Sequence, residues 1–402
     1  MLLRIIVISI VISLLSSLSY AADENADFER FKNQQTQDAI KLQKEFDQYK
    51  KELEEGFADY KKAYKKAVQA EKKSVKRVWG DYRPGDKKSW VQYEKGGVRK
   101  SVNFDTGMVE LEMIVDEKST NKRAEDALKK KFFELLKTSR RDAFESDNVA
   151  QAVEKRIAKR PQVKTAPVAD IPVMSTLIPD VDLKNESQVK VISEKLISQA
   201  ETDTRTAIKP GKKVVRVKFK IPTDIPSKSR QFIKTAKLIA DKETLPLTLV
   251  MAVMETESAF NPMAKSGVPA YGLMQIVPVS AGQDATAYLF GKAKILSPSY
   301  LYNSENNIEL GGAYLHILYY RYLKRIEDPV SRLYCTIAAY NTGAGNVAKA
   351  FTGKMNINRA ARKINKLTPK QVYQTLRKKL PYKETRHYVK SVSRKMQSYQ
   401  GI

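Results

Sequence analysis

The chain has 402 residues, with 72 lysines and arginines against 45 aspartates and glutamates, a formal net charge of +27. One cysteine excludes an internal disulfide, and two histidines are too few for a histidine-rich metal site, so neither a metal nor a cofactor is expected. The basic balance points to anionic partners, but zinc-finger Cys/His spacing and RNA-recognition signatures are absent.

In chain order, residues 1–21 read as a secretory signal peptide: Arg4, an apolar stretch from Ile5 to Leu18, then the small-x-small pattern Ser19-Tyr20-Ala21. An uncleaved anchor is the alternative, because the stretch approaches the ~18 residues that can span a bilayer. A lipoprotein signal would need a cysteine at the cleavage point, and the only cysteine is Cys335, which reads as a buried small apolar residue. The expected location is periplasmic, with or without membrane association, and without a lipid anchor. Nucleic acid is then no expected partner, since exported proteins rarely meet it.

Residues 22–77 are rich in Lys, Glu, Gln and Ala and contain no proline. Leu42, Phe46, Tyr49, Leu53, Phe57, Tyr60 and Tyr64 form an apolar stripe at helical spacing. The segment is expected to be a long amphipathic, coiled-coil-like helix, or a helical hairpin broken near Gly56. Its stripe could meet a protein partner, its own protein or an anionic membrane surface.

Residues 78–225 are expected to form a small mixed α/β accessory domain. Ser89–Glu94, Gly97–Asp105 and Met108–Val115 alternate apolar and polar residues, with Gly96-Gly97 and Asp105-Thr106-Gly107 as turns, which predicts a three-stranded meander. Asp-Thr-Gly also occurs in aspartic proteases, but that chemistry needs two such carboxylates sharing a proton. A hairpin turn is the better reading. A helix over Asn121–Lys137 should cover one face, and Val214–Ile221 should add a strand. The proline-containing stretch at about 160–179 reads as a linker or an extended crossing between layers.

Residues 226–402 carry the chemistry. Pro246 opens a helix on which Leu249, Val250, Val253, Met254 and Glu257 share one face. Glu255 lies roughly 200° away at ~100° per residue and is expected to face solvent. A carboxyl held against apolar side chains keeps its proton to higher pH, which suits a general acid. Pro262 is expected to end the helix through its effect on the preceding residue. Gln275, Tyr340 and Asn341 are amides and a phenol of the type that orients sugar hydroxyl and N-acetyl groups.

Residues from about Ser227 to Gln400 resemble the lytic transglycosylase domain of the soluble-transglycosylase type. The motifs are Glu257-Ser258 with Phe260-Asn261-Pro262, Gly272-Leu273-Met274-Gln275, Asn307-Ile308 with Gly311 and Tyr314-Leu315, Ala339-Tyr340-Asn341 with Gly343, and Glu384-Thr385-Arg386 with Tyr388-Val389. Thr368-Pro369 and Val372-Tyr373-Gln374-Thr375-Leu376 extend the likeness. Val277 departs from relatives that have Met there, with an apolar wall retained.

The resemblance implies a lysozyme-like all-α catalytic domain acting on peptidoglycan glycan strands. Glu257 would protonate the oxygen between N-acetylmuramic acid and N-acetylglucosamine. It would then take the proton of the muramic C6 hydroxyl as a 1,6-anhydro ring closes. By the same resemblance Ser266 lies near the cleaved bond, and Gln275 and Asn341 bind N-acetyl or hydroxyl groups. Tyr340 lines the cleft, Tyr388 orients the Glu257 carboxyl, and Glu384 contacts peptide or sugar. Met274 is placed with these substrate-binding or orienting residues, though its apolar character fits core packing equally well.

The expected fold class is α+β and multidomain, with the lysozyme-like domain preceded by the accessory domain and the N-terminal helical segment. Peptidoglycan stems and bacterial lipids both carry negative charge that a basic surface would meet. Two rivals remain. One is a hydrolytic muramidase of the goose-lysozyme type; the other is a catalytically idle peptidoglycan-binding or scaffold protein.

Overall fold

A computed structural model describes residues 22–401, so the signal-peptide expectation for 1–21 lies outside the described residues. Among the described residues no helix is long and apolar enough to cross a membrane. A helix covers Ala22–Trp79 (α1), and Gly56 lies inside it rather than at a break. The chain divides into two compact units, Met1–Glu55 and Gly56–Ile402.

In the first unit the described residues are helical and held by side-chain pairs one turn apart. Lys32 meets Glu29 at 3.2 Å, the Gln43 amide donates to Asp47 at 2.9 Å, and that of Gln48 to Glu52 at 2.7 Å. Such pairs each stabilise a helix by about 0.2–0.5 kcal/mol. Phe31, Leu42 and Phe46 are exposed.

The second unit begins with the rest of α1, whose inward face is aromatic. Tyr60 is fully buried, and Asp59 pairs with Arg156 and Arg160. At Gly56 a β-carbon would collide with Ile295, so glycine there serves close packing and not a turn.

The alternating segments form strands β1 (Ser89–Glu94), β2 (Val98–Asn103) and β3 (Met108–Asp116). Helix α2 (Asn121–Lys137) follows, and then β4 (Glu201–Thr206) and β5 (Lys212–Lys220). The antiparallel sheet has the order β1-β2-β3-β5-β4, so β5 pairs β3 along its length and β4 is an edge. Strand β4 is exposed at every residue, and so lacks the apolar alternation by which strands are recognised. Helix α2 buries Leu128, Phe132, Leu135 and Leu136, with Phe132 edge-on to Phe219 at 4.7 Å.

Asp105-Thr106-Gly107 is the β2–β3 hairpin turn. The Asn103 carboxamide oxygen accepts from the backbone N–H groups of Asp105 and Thr106, and Gly107 has φ +76°. A β-carbon at Gly107 would strike the Ile221 carbonyl. Gly107→Ala should therefore lower stability by about 1–3 kcal/mol, measurable by urea unfolding, since a non-glycine residue is strained at that φ.

Residues 160–179 are a packed crossing. Val163–Lys164 pairs in parallel with Ile295–Leu296, and Val168, Val173, Met174 and Leu177 are buried. The remaining helices include α3 (Ile225–Lys242), α4 (Leu247–Ser258), α5 (Ser304–His316), α6 (Pro329–Thr342) and α7 (Lys383–Ser398). Helix α4 packs against both α3 and α7, and α7 also packs on α6. The described residues are thus mostly helical, with a small antiparallel sheet.

Candidate active site

Helix α4 is apolar around its whole circumference: Leu249 through Met254 are all fully buried. A helix of that kind sits inside a core and has no solvent face. This corrects the expectation for Glu255, which is 5% exposed. It meets Lys395 at 3.0 Å and accepts a hydrogen bond from the Tyr399 hydroxyl at 2.8 Å, both supplied by the C-terminal segment lying over α4. Glu255 is thus a buried, fully paired structural carboxylate.

The end of α4 is set by its own residues. The Ser258 hydroxyl donates to the Met254 carbonyl at 3.0 Å and accepts from the Phe260 N–H at 3.1 Å. Ala259 and Phe260 both have positive φ, 50° and 63°. The helix therefore stops at Ser258, four residues ahead of Pro262, and not through the proline. Two left-handed residues in succession are strained, and strain of this kind collects at functional sites.

Glu257, one residue before that end, is 4% exposed. Its Oε2 accepts a hydrogen bond from Lys87 Nζ at 3.1 Å, and the same ammonium group lies 3.6 Å from Glu384. Burial pushes the Glu257 carboxyl above its ordinary value, and Lys87 pulls against that rise. The buried phenols of Tyr388 and Tyr340 also neighbour the carboxyl, and it helps to hold both of them protonated. The Tyr388 hydroxyl makes no hydrogen bond of good geometry in this arrangement.

Around this centre, Tyr340 donates to the Met274 carbonyl at 2.8 Å and leans on Tyr314 at 5.5 Å between ring centres. Asn341 accepts from the Thr385 hydroxyl at 2.6 Å, which ties α6 to the residue next to Glu384. Gln275 has φ 51° and donates to the Gly272 carbonyl at 3.0 Å, while its own carbonyl oxygen is buried without a partner. Buried acceptors without a protein partner are rare in native structures.

Glu257, Glu384, Tyr340 and Tyr388 are thus brought together. Met274 is fully buried, its sulfur against Gly311, which fits the core-packing alternative. The Ser266 hydroxyl donates to the Val268 carbonyl within its own turn, and the Ser266 carbonyl accepts from Tyr64 at 2.9 Å. Cys335 is buried, and burial pushes its thiol well up, as an inert apolar residue requires. His316 stacks on Tyr288 and contacts the Glu243 carbonyl at 3.0 Å, a packing role. Among the described residues no cluster of His, Cys, Asp and Glu has the arrangement of a metal site.

Two residues of consequence escape sequence reasoning. Lys87 is one lysine in a strongly basic chain, 170 positions from the carboxylate it meets. Asn307 was legible as part of a motif but not as a structural hub. Its side chain accepts from the Met274 N–H at 2.8 Å and donates to the carbonyls of Tyr271 and Leu301, each at 2.9 Å. It thereby holds the loop that carries Gln275.

Residues 234–363 match the family model described as the transglycosylase SLT domain. The chain is 41% identical over 179 residues to membrane-bound lytic murein transglycosylase C of Serratia proteamaculans, covering 44% of this chain and 49% of that protein. The same protein of Yersinia enterocolitica is 39% identical over the same length and coverage. The chain spans about half the length of the curated relatives it matches. A solved structure of lytic transglycosylase Slt from Pseudomonas aeruginosa is 26% identical, with TM-score 0.34 over 44% of this chain and 25% of that one. Glu257, Gln275, Tyr340 and Asn341 all fall within the matched span. Over residues 234–363 this chain is therefore similar to the transglycosylase SLT domain.

Proposed function

We propose that this chain is a lytic transglycosylase, which cleaves the β-1,4 bond between N-acetylmuramic acid and N-acetylglucosamine in peptidoglycan without water. The observation that carries the reading is Glu257: a carboxyl at the strained end of an apolar helix, inside the SLT domain, with its proton affinity raised by burial. Such a group can hold a proton near neutrality and give it up at a defined point.

The chemistry balances on one carboxyl. Glu257 gives its proton to the bridging oxygen as the bond from that oxygen to muramic C1 breaks. The C6 hydroxyl oxygen then bonds to C1, and its proton returns to Glu257. The sugar's N-acetyl group supports the positive charge between the two steps. A 1,6-anhydro end remains and the enzyme is restored without a water molecule, unlike hydrolases that use two carboxyl groups.

In this proposal residues 226–402 form a lysozyme-like catalytic domain and 78–225 an accessory domain. The unpaired Gln275 carbonyl receives a sugar N–H or hydroxyl, Asn341 binds a neighbouring polar group, and Tyr340 and Tyr388 wall the acid. Glu384, exposed above Lys87, meets the sugar or its peptide stem. The proposed working place is the periplasm, where the basic surface meets anionic stems or lipid. Exposed Phe31, Leu42 and Phe46 support a protein or membrane-surface partner for the N-terminal helix.

Digestion of purified peptidoglycan followed by mass spectrometry of the muropeptides tests the reading. Anhydromuramic ends are expected. Reducing ends would make the protein a muramidase, and no release would make it a binding protein.

A further inference from the structure

The Lys87–Glu257 pair joins parts of the chain that the sequence keeps far apart. Lys87 lies in the short segment between α1 and β1, outside the SLT domain. Its neighbours are both fastened. The Asp86 carboxylate accepts from the backbone N–H groups of Lys88 and Ser89, each at 2.7 Å, and the Asp86 N–H donates to the Ser89 carbonyl at 2.8 Å. Lys88 pairs with Asp105 at 2.6 Å, and its carbonyl accepts from the Phe104 N–H at 2.8 Å. On the other side, buried Lys228 of α3 donates to the Phe104 carbonyl at 2.8 Å, which ties this corner of the sheet to the helices around Glu257. The backbone that presents Lys87 is therefore fixed.

Its side chain is 34% exposed, while the carboxylate it meets is 5% exposed. An ammonium group laid on a nearly dry carboxylate is a different object from a surface ion pair, because little water screens it. We infer that Lys87 is a positioning residue for the catalytic acid: it holds and stabilises the carboxylate that Glu257 becomes once its proton has gone to the departing oxygen. The inference rests on the proposed role of Glu257, and it makes the active site a joint product of the SLT domain and the sheet that precedes it.

Every charged or titratable group around the pair bears on its behaviour. From α7 come Glu384, whose charge opposes ionisation of Glu257 while sharing Lys87, and Tyr388; from α6 comes Tyr340. Burial favours the protonated acid needed for the first step, and Lys87 limits that bias so that the proton can leave. Loss of the ammonium group removes the only one of these groups that is positively charged.

The test uses the full chain with Lys87→Met and Lys87→Arg. The difference infrared signal between each protein and its Glu257→Gln counterpart reads protonation of the Glu257 carboxyl without any turnover. Its titration midpoint should rise by about one pH unit or more in Lys87→Met, since an opposite charge at this range shifts a carboxyl by 1–3 units. Lys87→Arg should keep the midpoint near that of the parent. On soluble glycan fragments, kcat should fall by about tenfold in Lys87→Met, with KM little changed and the alkaline limb of the kcat profile moved up with the midpoint. A midpoint unchanged in Lys87→Met, or raised equally in Lys87→Arg, overturns the inference. If the parent protein releases no glycan product, the proposed activity fails, and the carboxyl titration still decides the role of Lys87.

Discussion

Glu257→Gln is expected to lower turnover on peptidoglycan by ~10²-fold or more, the usual worth of a positioned acid–base group. Glutamine keeps the shape and can still donate to a neighbour, but it has no acidic proton to give and cannot take one back. Both half-steps of the proposed reaction are therefore lost together. Release of anhydromuropeptides, followed over time at equal protein concentration, is the measurement. Near-parental rates would remove Glu257 from the centre of the mechanism.

The same substitution separates chemistry from folding. Burial raises the Glu257 carboxyl above its ordinary value near 4.5, so the folded state holds this proton more tightly than the unfolded chain does. Stability from that group is complete below the unfolded value and is lost as pH rises through the folded one. At neutral pH the parent protein carries this penalty and Glu257→Gln does not. The variant should therefore melt at a higher temperature at neutral pH, with the gain shrinking as pH falls towards about 4.5. A more stable, inactive variant is the expected signature of a site that trades stability for function.

Asn307→Ala is expected to cost about 2–4 kcal/mol, the largest stability loss predicted for this protein. The fully buried side chain serves one backbone N–H and two backbone carbonyls. Its removal takes this partner from the Met274 N–H and the Leu301 carbonyl, at about 1–3 kcal/mol each when unrelieved, while the Tyr271 carbonyl keeps the Ile276 N–H at 3.1 Å. Water entering the space relieves part of that. The loop it holds carries Gly272, at φ +74°, and Gln275, at φ 51°. Activity should thus fall further than the folded fraction accounts for. Urea unfolding gives the stability, and turnover per folded molecule gives the second effect. A variant that unfolds at the parental midpoint would show that Asn307 is not the hub its hydrogen bonds describe.

Much of the local structure was legible because it rests on periodicity and turn chemistry. The period of two in β1 to β3, the glycine turns and the helical spacing of 121–137 are local properties of consecutive residues. Strand β4 was not legible, since each of its residues faces solvent and its strand character comes only from pairing with β5. Glu255 was misassigned for a related reason. An angular argument identifies the face opposite Glu257, but not that α7 and the C-terminal residues cover that face as well.

The sequence by itself determined the candidate acid, its place at the end of an apolar helix, and the order of motifs around it. These follow from residue types at short spacing, where one helix turn decides which side chains share a face. Tertiary structure alone decided the electrostatics of that acid. Whether a carboxyl is dry, which cation reaches it and which phenols wall it depend on segments that are remote in sequence and adjacent in space. Lys87 meets Glu257 only because the turn before β1 is fastened to a sheet that is itself tied to α3. Coulombic energy depends on distance through space and on the absence of water, and neither is a property of neighbouring letters in a chain.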